Sequence, residues 1–258
     1  MTTTQQPNSL NVLLIGDSCV DEYIYGTVDR ISPESPVPIL RQTRRETKAG
    51  MAANVKENLE ALGCQVDFIT NIENIVKTRY IDERSGYHLL RVDQEDKIVP
   101  WSRRMAFDIE SYDAVVISDY GKGFLEYHHI DILRTSFTGP VFLDTKKTDL
   151  ASFHGIFVKI NELEYSRRIS INDKLIVTLG SRGAMYKTGR DPKHETIFPA
   201  PKVEVFDVCG AGDTFLSALT FGYCCYRNIE TAINFANKAA SIAVTHSGNY
   251  APNMEELL

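Results

Sequence analysis

Residues Asp207–Thr214 read DVCGAGDT and lead directly into the apolar helical pattern FLSALTF at residues 215–221. A turn of small residues before a helix leaves backbone N–H groups unpaired and aimed at one point, and the helix dipole strengthens their attraction for an anion. Asp213 places a carboxylate beside this point, where it could take a proton from an alcohol. The run therefore predicts either a phosphoryl-transfer site or an ordinary strand-to-helix turn whose aspartate caps the helix.

Short apolar runs that end on polar residues recur along the rest of the chain. They occupy residues 12–15, 64–70, 114–119, 141–144, 156–161 and 175–180. Helical spacing occupies residues 52–62, 213–226 and 229–245. This alternation predicts an α/β fold, a doubly wound, mostly parallel sheet with helices on both faces.

Ligands of such sheets bind beyond the carboxyl ends of the strands. Each polar residue at a strand end could instead cap a helix, but several in succession indicate one shared crevice. The residues at these ends are Asp17, Asp119, Asp144, Asn161 and Gly180.

A β-rich insertion interrupts the alternation. Strand-forming residues lie at about 22–43 and 77–93, and the first stretch contains the proline-rich link 32–38. Because these strands do not fit a parallel layer, we expect a small separate β-sheet. Its natural role is a lid that excludes water from the crevice.

Composition and charge exclude several classes of protein. The chain has 258 residues and a net charge of −6, and its densest basic stretch, residues 41–48, is short, which argues against a nucleic-acid partner. No apolar stretch reaches membrane-spanning length, and the polar residues 1–9 do not resemble a signal peptide. Five cysteines without metal-ligand spacing indicate reduced thiols and a cytoplasmic protein.

Five further motifs carry a family resemblance. They are GDxxxDxYxYG at 16–26, RISPExPVP at 30–38, SDYxKG at 118–123, DxKxTD at 144–149 and TLGSRG at 178–183. Together with residues 207–214 they resemble the PfkB/ribokinase family of sugar kinases over roughly residues 11–252. Residues 16–38 are most similar to bacterial D-glycero-β-D-manno-heptose 7-phosphate kinases. The resemblance implies a ribokinase-like kinase domain at 11–258 after a disordered tail at 1–10.

The resemblance also implies the roles of individual residues. Asp213 would be the base, and the transferred phosphoryl group would be held by the amides of Gly210, Ala211 and Gly212. The positions that match ATP contacts are Thr178, Gly180, Gly183 and Asn237, with residues 239–249 beside the adenine. The positions that match sugar contacts are Asp17, Asp21, Gly50 and Asn54. The Asn-x-x-Glu pair that positions Mg²⁺ through water is Asn161 and Glu164, although Glu164 alone reads as an ordinary first-turn helix acid. Asp207 and the backbone of Cys209 match a monovalent-cation site, which leaves a requirement for K⁺ open.

The implied activity is ATP- and Mg²⁺-dependent phosphorylation of a sugar hydroxyl, most specifically the anomeric hydroxyl of heptose 7-phosphate. A homodimer through the lid sheet is compatible with it. The alternatives are a kinase for ribose, fructose or fructose 6-phosphate, and a sugar- or nucleotide-binding relative without turnover. Basic lid residues that could bind a substrate phosphate are Arg41, Arg44, Lys77, Arg79 and Arg91.

Two departures from the family pattern bear on activity. Relatives carry a Gly-Gly pair where this chain has Gly50-Met51, so the hinge could be stiffer or the pocket narrower. Relatives also place a helix and a strand where this chain passes from residue 70 to residue 77. We expect this omission to expose apolar sheet surface, unless a partner chain or a rearranged fold covers it.

Overall fold

The structure, a computed structural model, describes residues 9–102, 108–189 and 194–257. Helices and strands follow one another there much as the apolar runs predict. In chain order they are β1 (Asn11–Gly16), β2 (Ser18–Ile31), β3 (Pro38–Met51), α1 (Ala52–Ala61), β4 (Gln65–Thr70), β5 (Ile75–Asp82), β6 (His88–Glu95), β7 (Ala114–Asp119), α2 (Tyr127–Ser136), β8 (Val141–Thr145), β9 (Phe157–Asn161), α3 (Glu162–Arg167), β10 (Lys174–Thr178), β11 (Ala184–Thr188), β12 (Glu195–Phe198), α4 (Ala211–Tyr226), α5 (Ile229–Ala243) and α6 (Met254–Leu257). None of the described helices has the length and apolarity needed to cross a bilayer.

The main sheet has the strand order β12-β11-β10-β9-β8-β7-β1-β4. β1 lies between β4 and β7 and is parallel to both. The parallel direction continues through β8, β9 and β10, while β11 and β12 are antiparallel. Because the chain winds outward from β1 in both directions, this is the doubly wound, mostly parallel sheet that the sequence predicts.

Both faces of the central strands of this sheet are buried. In β1, Val12 and Leu14 belong to the core that includes α1, α4 and α5, and Leu13 and Ile15 belong to a second core that includes α2. All four side chains are fully buried. A strand covered on both faces needs no polar face, which explains the continuous apolar runs in the sequence.

A separate smaller sheet has the order β3-β2-β5-β6 and corresponds to the predicted lid. Its first two strands are longer than expected: they span Ser18–Ile31 and Pro38–Met51 rather than 22–43. The second pair spans Ile75–Asp82 and His88–Glu95 and matches the expected 77–93 closely. The longer β3 runs directly into α1, so the sheet is joined to the core without a loop.

The shortened region after β4 does not leave an apolar sheet face open. At this edge of the main sheet, β4 presents the exposed polar residues Gln65 and Asp67, and Asp67 accepts a hydrogen bond from Tyr112 Oη. Farther along the same face, Ile98 and Trp101 from the segment after β6 are buried in the core beside β1. Polar residues at the edge and the buried segment after β6 therefore limit the apolar surface that the shortened region exposes.

The start of the domain differs slightly from expectation. Residues 1–8 of the expected tail lie outside the described residues. Leu10 is buried in the core, and Ser9 Oγ donates a hydrogen bond to the Gly63 carbonyl at 3.0 Å. The folded chain therefore includes at least the last two residues of the segment expected to be a tail.

Candidate active site

The parallel strands bring their polar ends to one edge of the main sheet. Gly16, just before Asp17, lies opposite Ser118, and Ser118 lies opposite Asp144. Helix α4 begins at Ala211 over this edge and carries Asp213 in its first turn. The negative charge of Asp144 contributes to raising the pKa of Asp213, so the two carboxylates face the same region. The structure thus gathers the strand ends and the DVCGAGDT run around one crevice, as their positions in the sequence predict.

Asp213 is almost completely buried, with 4% of its surface exposed. Asn54 Nδ2 donates to Asp213 Oδ2 at 2.9 Å, and Tyr120 Oη donates to Asp213 Oδ1 at 2.6 Å. Burial raises the pKa of Asp213 to about 6, against the lowering effect of these two hydrogen bonds. A carboxylate with that pKa is ionised at neutral pH and still basic enough to accept a proton.

The turn before α4 depends on glycine at two positions. Gly210 adopts φ 73°, and a Cβ there would lie 2.8 Å from both Asn54 Nδ2 and Asn249 Oδ1. A Cβ on Gly212 would lie 2.9 Å from Lys159 Nζ. The amides of Gly210 and Gly212 donate to no acceptor within the described part of the chain, and the Ala211 amide makes only a 3.4 Å contact with the Val208 carbonyl. The turn therefore retains free N–H groups for an anion.

Lys159 places a positive charge under this turn. It is 4% exposed, and its Nζ donates to Asp144 Oδ2 at 2.8 Å. Lys146, from the loop after β8, forms an ion pair with Glu164, and its Nζ also lies 5.2 Å from the centre of the Tyr120 ring. Neither lysine was predicted as a site residue, because each is placed by an ion pair with a residue 15 or more positions away in the chain.

Asp17 holds the loop that carries Tyr120. Its Oδ2 accepts from the amides of Tyr120 and Lys122 at 2.8 and 3.3 Å, and its Oδ1 accepts from the Phe124 amide at 3.3 Å. Burial raises the pKa of Asp17, and repulsion from Asp119 adds to the rise. With no exposed surface, Asp17 is placed beneath the crevice rather than on its surface.

The other three expected sugar contacts lie where the lid sheet meets α1. Asp21 accepts from Arg79 Nη1 at 2.6 Å and from Asn249 Nδ2 at 3.1 Å. A Cβ on Gly50 would come within 2.3 Å of Asp21 Oδ2, so only glycine allows this approach. Asn54, in the first turn of α1, connects this corner to Asp213. The structure brings Asp21, Gly50 and Asn54 together.

Asn161 and Glu164 form a capping box at the start of α3. Asn161 Oδ1 accepts from the Glu164 amide at 2.9 Å, and Glu164 Oε2 accepts from the Asn161 amide at 2.8 Å. The first-turn reading of Glu164 is therefore realised in the structure. The described residues contain no group of three or more His, Cys, Asp or Glu side chains able to hold a metal directly. A single carboxylate that already accepts from an amide and from Lys146 suits water-mediated contact with Mg²⁺.

A cavity of about 460 Å³ lies beside the turn, on the side of β10 and α5. The expected ATP-contacting positions Thr178, Gly180, Gly183 and Asn237 line it, and so do Ala211 and Gly212, whose amides are expected to hold the transferred phosphoryl group. Ala240, Ser241 and Val244, from the segment expected beside the adenine, line it as well. Its largely apolar walls and its opening toward the free amides suit a ligand with a flat apolar end and an anionic end.

Asp207 is engaged by backbone amides. Its Oδ1 accepts from the Cys209 amide and its Oδ2 from the Gly248 amide, both at 2.9 Å. Burial alone would raise the pKa of Asp207, but these amides outweigh burial and lower it. The carboxylate therefore fixes the start of the DVCGAGDT run to the loop after α5.

Sequence reasoning missed Tyr120, Lys159 and Asn249. Tyr120 stands in the SDYxKG motif at 118–123, but a motif without its partner gives no role to the tyrosine. Asn249 is linked to Asp21 across 228 positions of the chain. Only the polar character of these residues beside family motifs could have marked them.

Comparison with known proteins shows a similarity to carbohydrate kinases. Residues 160–256 match the family model described as pfkB family carbohydrate kinase. The chain is 30% identical to the bifunctional protein HldE of Nitrosococcus oceani, with 96% of this chain and 63% of HldE covered. It is 32% identical to HldE of Pseudomonas aeruginosa, with 95% and 62% covered. The chain thus spans less than two thirds of the length of these relatives.

Solved structures show the same fold. Arabidopsis thaliana ribokinase complexed with ribose and ATP has a TM-score of 0.72 at 16% identity and covers 97% of this chain and 98% of its own. Escherichia coli phosphofructokinase-2 in complex with potassium has a TM-score of 0.71 at 16% identity, with 96% of each chain covered. At this identity the likeness establishes a ribokinase-like fold.

Proposed function

Because this chain carries a domain of the pfkB family of carbohydrate kinases, we propose that it transfers the γ-phosphoryl group of ATP to a sugar hydroxyl. The observation that carries the proposal is the buried carboxylate of Asp213, which has a pKa of about 6 and lies in the first turn of α4 beside free amides. A base, an anion site and an adjacent nucleotide-sized cavity are the parts that this reaction needs.

In the proposed mechanism Asp213 removes the proton of the acceptor hydroxyl. Asn54 and Tyr120 fix the two carboxylate oxygens, so that a remaining lone pair is aimed at the hydroxyl. A loose phosphoryl-transfer transition state needs deprotonation only late, and a moderately basic carboxylate is sufficient for it.

The amides of Gly210 and Gly212 would bind the equatorial oxygens of the phosphoryl group during its transfer. Lys159, next to Gly212, neutralises part of the charge that develops on them. Asn161 and Glu164 would hold Mg²⁺ through water, and the bound ion would neutralise the nucleotide phosphates. The apolar part of the 460 Å³ cavity would receive the adenine.

We further propose a sugar phosphate as the acceptor, most specifically heptose 7-phosphate phosphorylated at its anomeric hydroxyl. The likeness of residues 16–38 to heptose 7-phosphate kinases supports this assignment. One basic lid residue suits a substrate phosphate better than the other four. The five basic lid residues differ in that Arg41, Arg44, Arg79 and Arg91 pair with carboxylates, whereas Lys77 forms no ion pair within the described ranges. Lys77 Nζ instead lies 5.5 Å from the centre of the ring of Tyr120, the residue that donates a hydrogen bond to the proposed base Asp213.

The test is ADP release from Mg-ATP with a panel of heptose 7-phosphate, fructose 6-phosphate, fructose and ribose. We expect the highest kcat/KM with heptose 7-phosphate. Asp213→Asn should lower kcat by about 10²- to 10⁴-fold. Turnover of another sugar in the panel would support the kinase assignment and identify a different substrate. Equal rates for wild type and Asp213→Asn, or binding of nucleotide without any turnover, would contradict the kinase assignment.

A further inference from the structure

Lys48 lies near the end of β3, three positions before Met51, and its side chain reaches the loop that follows α5. Lys48 Nζ donates to the Ser247 carbonyl at 2.9 Å and to the Asn249 carbonyl at 3.2 Å. It forms no ion pair with any carboxylate of the described residues. The hydrogen bonds of its ammonium therefore go to backbone oxygens.

The surroundings of this ammonium are tightly packed. A Cβ on Gly248 would come within 3.0 Å of Lys48 Nζ and 3.3 Å of Tyr23 Oη. Tyr23 is 2% exposed, its hydroxyl has no hydrogen-bond partner within the described part of the chain, and its ring centre is 5.9 Å from Lys48 Nζ. Carbonyls, a hydroxyl and an aromatic face form an environment that favours a positive charge.

The loop that Lys48 contacts supports the anion site. The Gly248 amide donates to Asp207 Oδ2, and the Cys209 amide donates to Asp207 Oδ1. Cys209 is followed directly by Gly210, whose Cα lies against the Asn249 side chain. A displacement of the 247–249 loop would therefore pass through Asp207 to the free amides of the turn.

The same loop follows the carboxyl end of α5 at Ala243, where the helix dipole is negative. Carbonyls at such an end attract a cation, and a ring of backbone carbonyls can replace the hydration shell of K⁺. The family resemblance places a monovalent cation near Asp207 and Cys209. In this chain the Asp207 oxygens accept from amides, and two carbonyls of the adjoining loop accept from Lys48, so the residues do not fit an additional bound cation.

We propose that the Lys48 ammonium serves as the cation of this loop and that the protein needs no bound K⁺. Lys48 is then a positioning residue: it stabilises the 247–249 loop and, through Asp207, the anion site. The inference rests on the proposed kinase function only for its activity readout. It concerns a residue of the lid sheet to which the sequence assigns no role.

The first test compares activity in KCl, NaCl and choline chloride at equal ionic strength. We expect wild type to keep the same rate, within about twofold, in all three salts. Lys48→Met should lose about tenfold or more in choline chloride and recover several-fold in KCl or NH₄Cl. Lys48→Arg, which keeps the charge, should stay insensitive to the salt. Lys56→Met, on the exposed face of α1, is the matched control and should behave as wild type.

The second test needs no activity and uses thermal unfolding in the same salts. Lys48→Met should melt higher in KCl than in choline chloride, whereas wild type should show no such difference. If the methionine variant does not fold, the same measurements are made on Lys48→Gln, which keeps a neutral donor. A wild-type protein that K⁺ activates or stabilises selectively would overturn the proposal, and so would charge-removed variants that K⁺ neither activates nor stabilises. If wild type turns over no sugar, the kinase proposal fails while the melting comparison still decides the role of Lys48.

Discussion

Tyr120 Oη donates a 2.6 Å hydrogen bond to Asp213 Oδ1, and the backbone amide of Tyr120 is itself held by Asp17 at 2.8 Å. Burial and the charge of Asp213 raise the pKa of Tyr120 well above its ordinary value, so the phenol stays protonated and remains a donor. Asp17, which follows β1, is thus connected to Asp213 through hydrogen bonds of Tyr120.

Tyr120→Phe should move the acid limb of the pH–rate profile to higher pH. The hydrogen bond from Tyr120 lowers the pKa of Asp213, and its loss lets burial raise that pKa further above about 6. A hydrogen bond to a charged group is worth about 1.5–3 kcal/mol, which corresponds to a displacement of about one pH unit or more. The measurement is kcat/KM from pH 5 to 9, with the surface variant Tyr226→Phe as control. An unchanged acid limb would show that Asp213 is not the titrating base.

Asp213→Asn should stabilise the protein while it removes activity. The pKa of Asp213 is raised from 3.8 to about 6 in the folded state, so the folded state binds the proton more tightly than the unfolded state. The stability contributed by the protonated carboxyl is present below pH 4 and is lost as pH rises through 6. The ionised carboxylate then costs about 3 kcal/mol at neutral pH. Urea unfolding at pH 7.5 should show the variant more stable than wild type, and the difference should shrink toward pH 4. A variant less stable at pH 7.5 would contradict the raised pKa.

The sequence predicts the sheet well because its strands are buried on both faces. In residues 12–15 and 114–119 no polar face interrupts the apolar run, and the polar residues at each strand end mark the crevice. The DVCGAGDT turn is equally local, because small residues and a following helix are sufficient to form it. These features can be predicted because they depend on residues that are neighbours in the chain.

The parts that the sequence did not predict depend on distant pairs. Lys48 contacts the carbonyl of Ser247 across 199 positions, and Lys159 meets Asp144 from the adjacent strand. No periodicity records such a pair, because each lysine alone reads as a surface charge. The partners of Asp17 were hidden from the sequence for the same reason: the backbone amides of Tyr120, Lys122 and Phe124 come from another βα loop.

Ala240→Trp should weaken ATP binding without affecting the sugar. Ala240 lines the 460 Å³ cavity, and an indole ring there would fill the space that we propose for the adenine. We expect KM for ATP to rise about tenfold or more, while KM for the sugar changes by less than about threefold. The matched control is Asn234→Trp, because Asn234 is exposed on the same helix. Equal effects of the two substitutions on KM for ATP would place the nucleotide elsewhere.

Met51 joins the lid sheet to α1 in a backbone conformation that favours glycine. Its φ of 57° and ψ of −132° lie where a side chain is strained, yet the side chain is 3% exposed and packs in the core with Leu13 and Ile15. Packing therefore opposes strain at the position where the family resemblance implies the second glycine of a hinge. Such strain costs of order 1–3 kcal/mol.

Met51→Ala and Met51→Gly separate the two effects, because both remove the packing and only glycine removes the strain. We expect both variants to be less stable than wild type, with Met51→Gly more stable than Met51→Ala by about 1 kcal/mol after the greater freedom of glycine in the unfolded chain is included. The measurement is the free energy of unfolding in urea. The control pair Asn234→Ala and Asn234→Gly, in an exposed helical turn, should show the opposite order by about 1 kcal/mol. If alanine is also the more stable residue at position 51, the hinge is not strained and the methionine is accommodated there without cost.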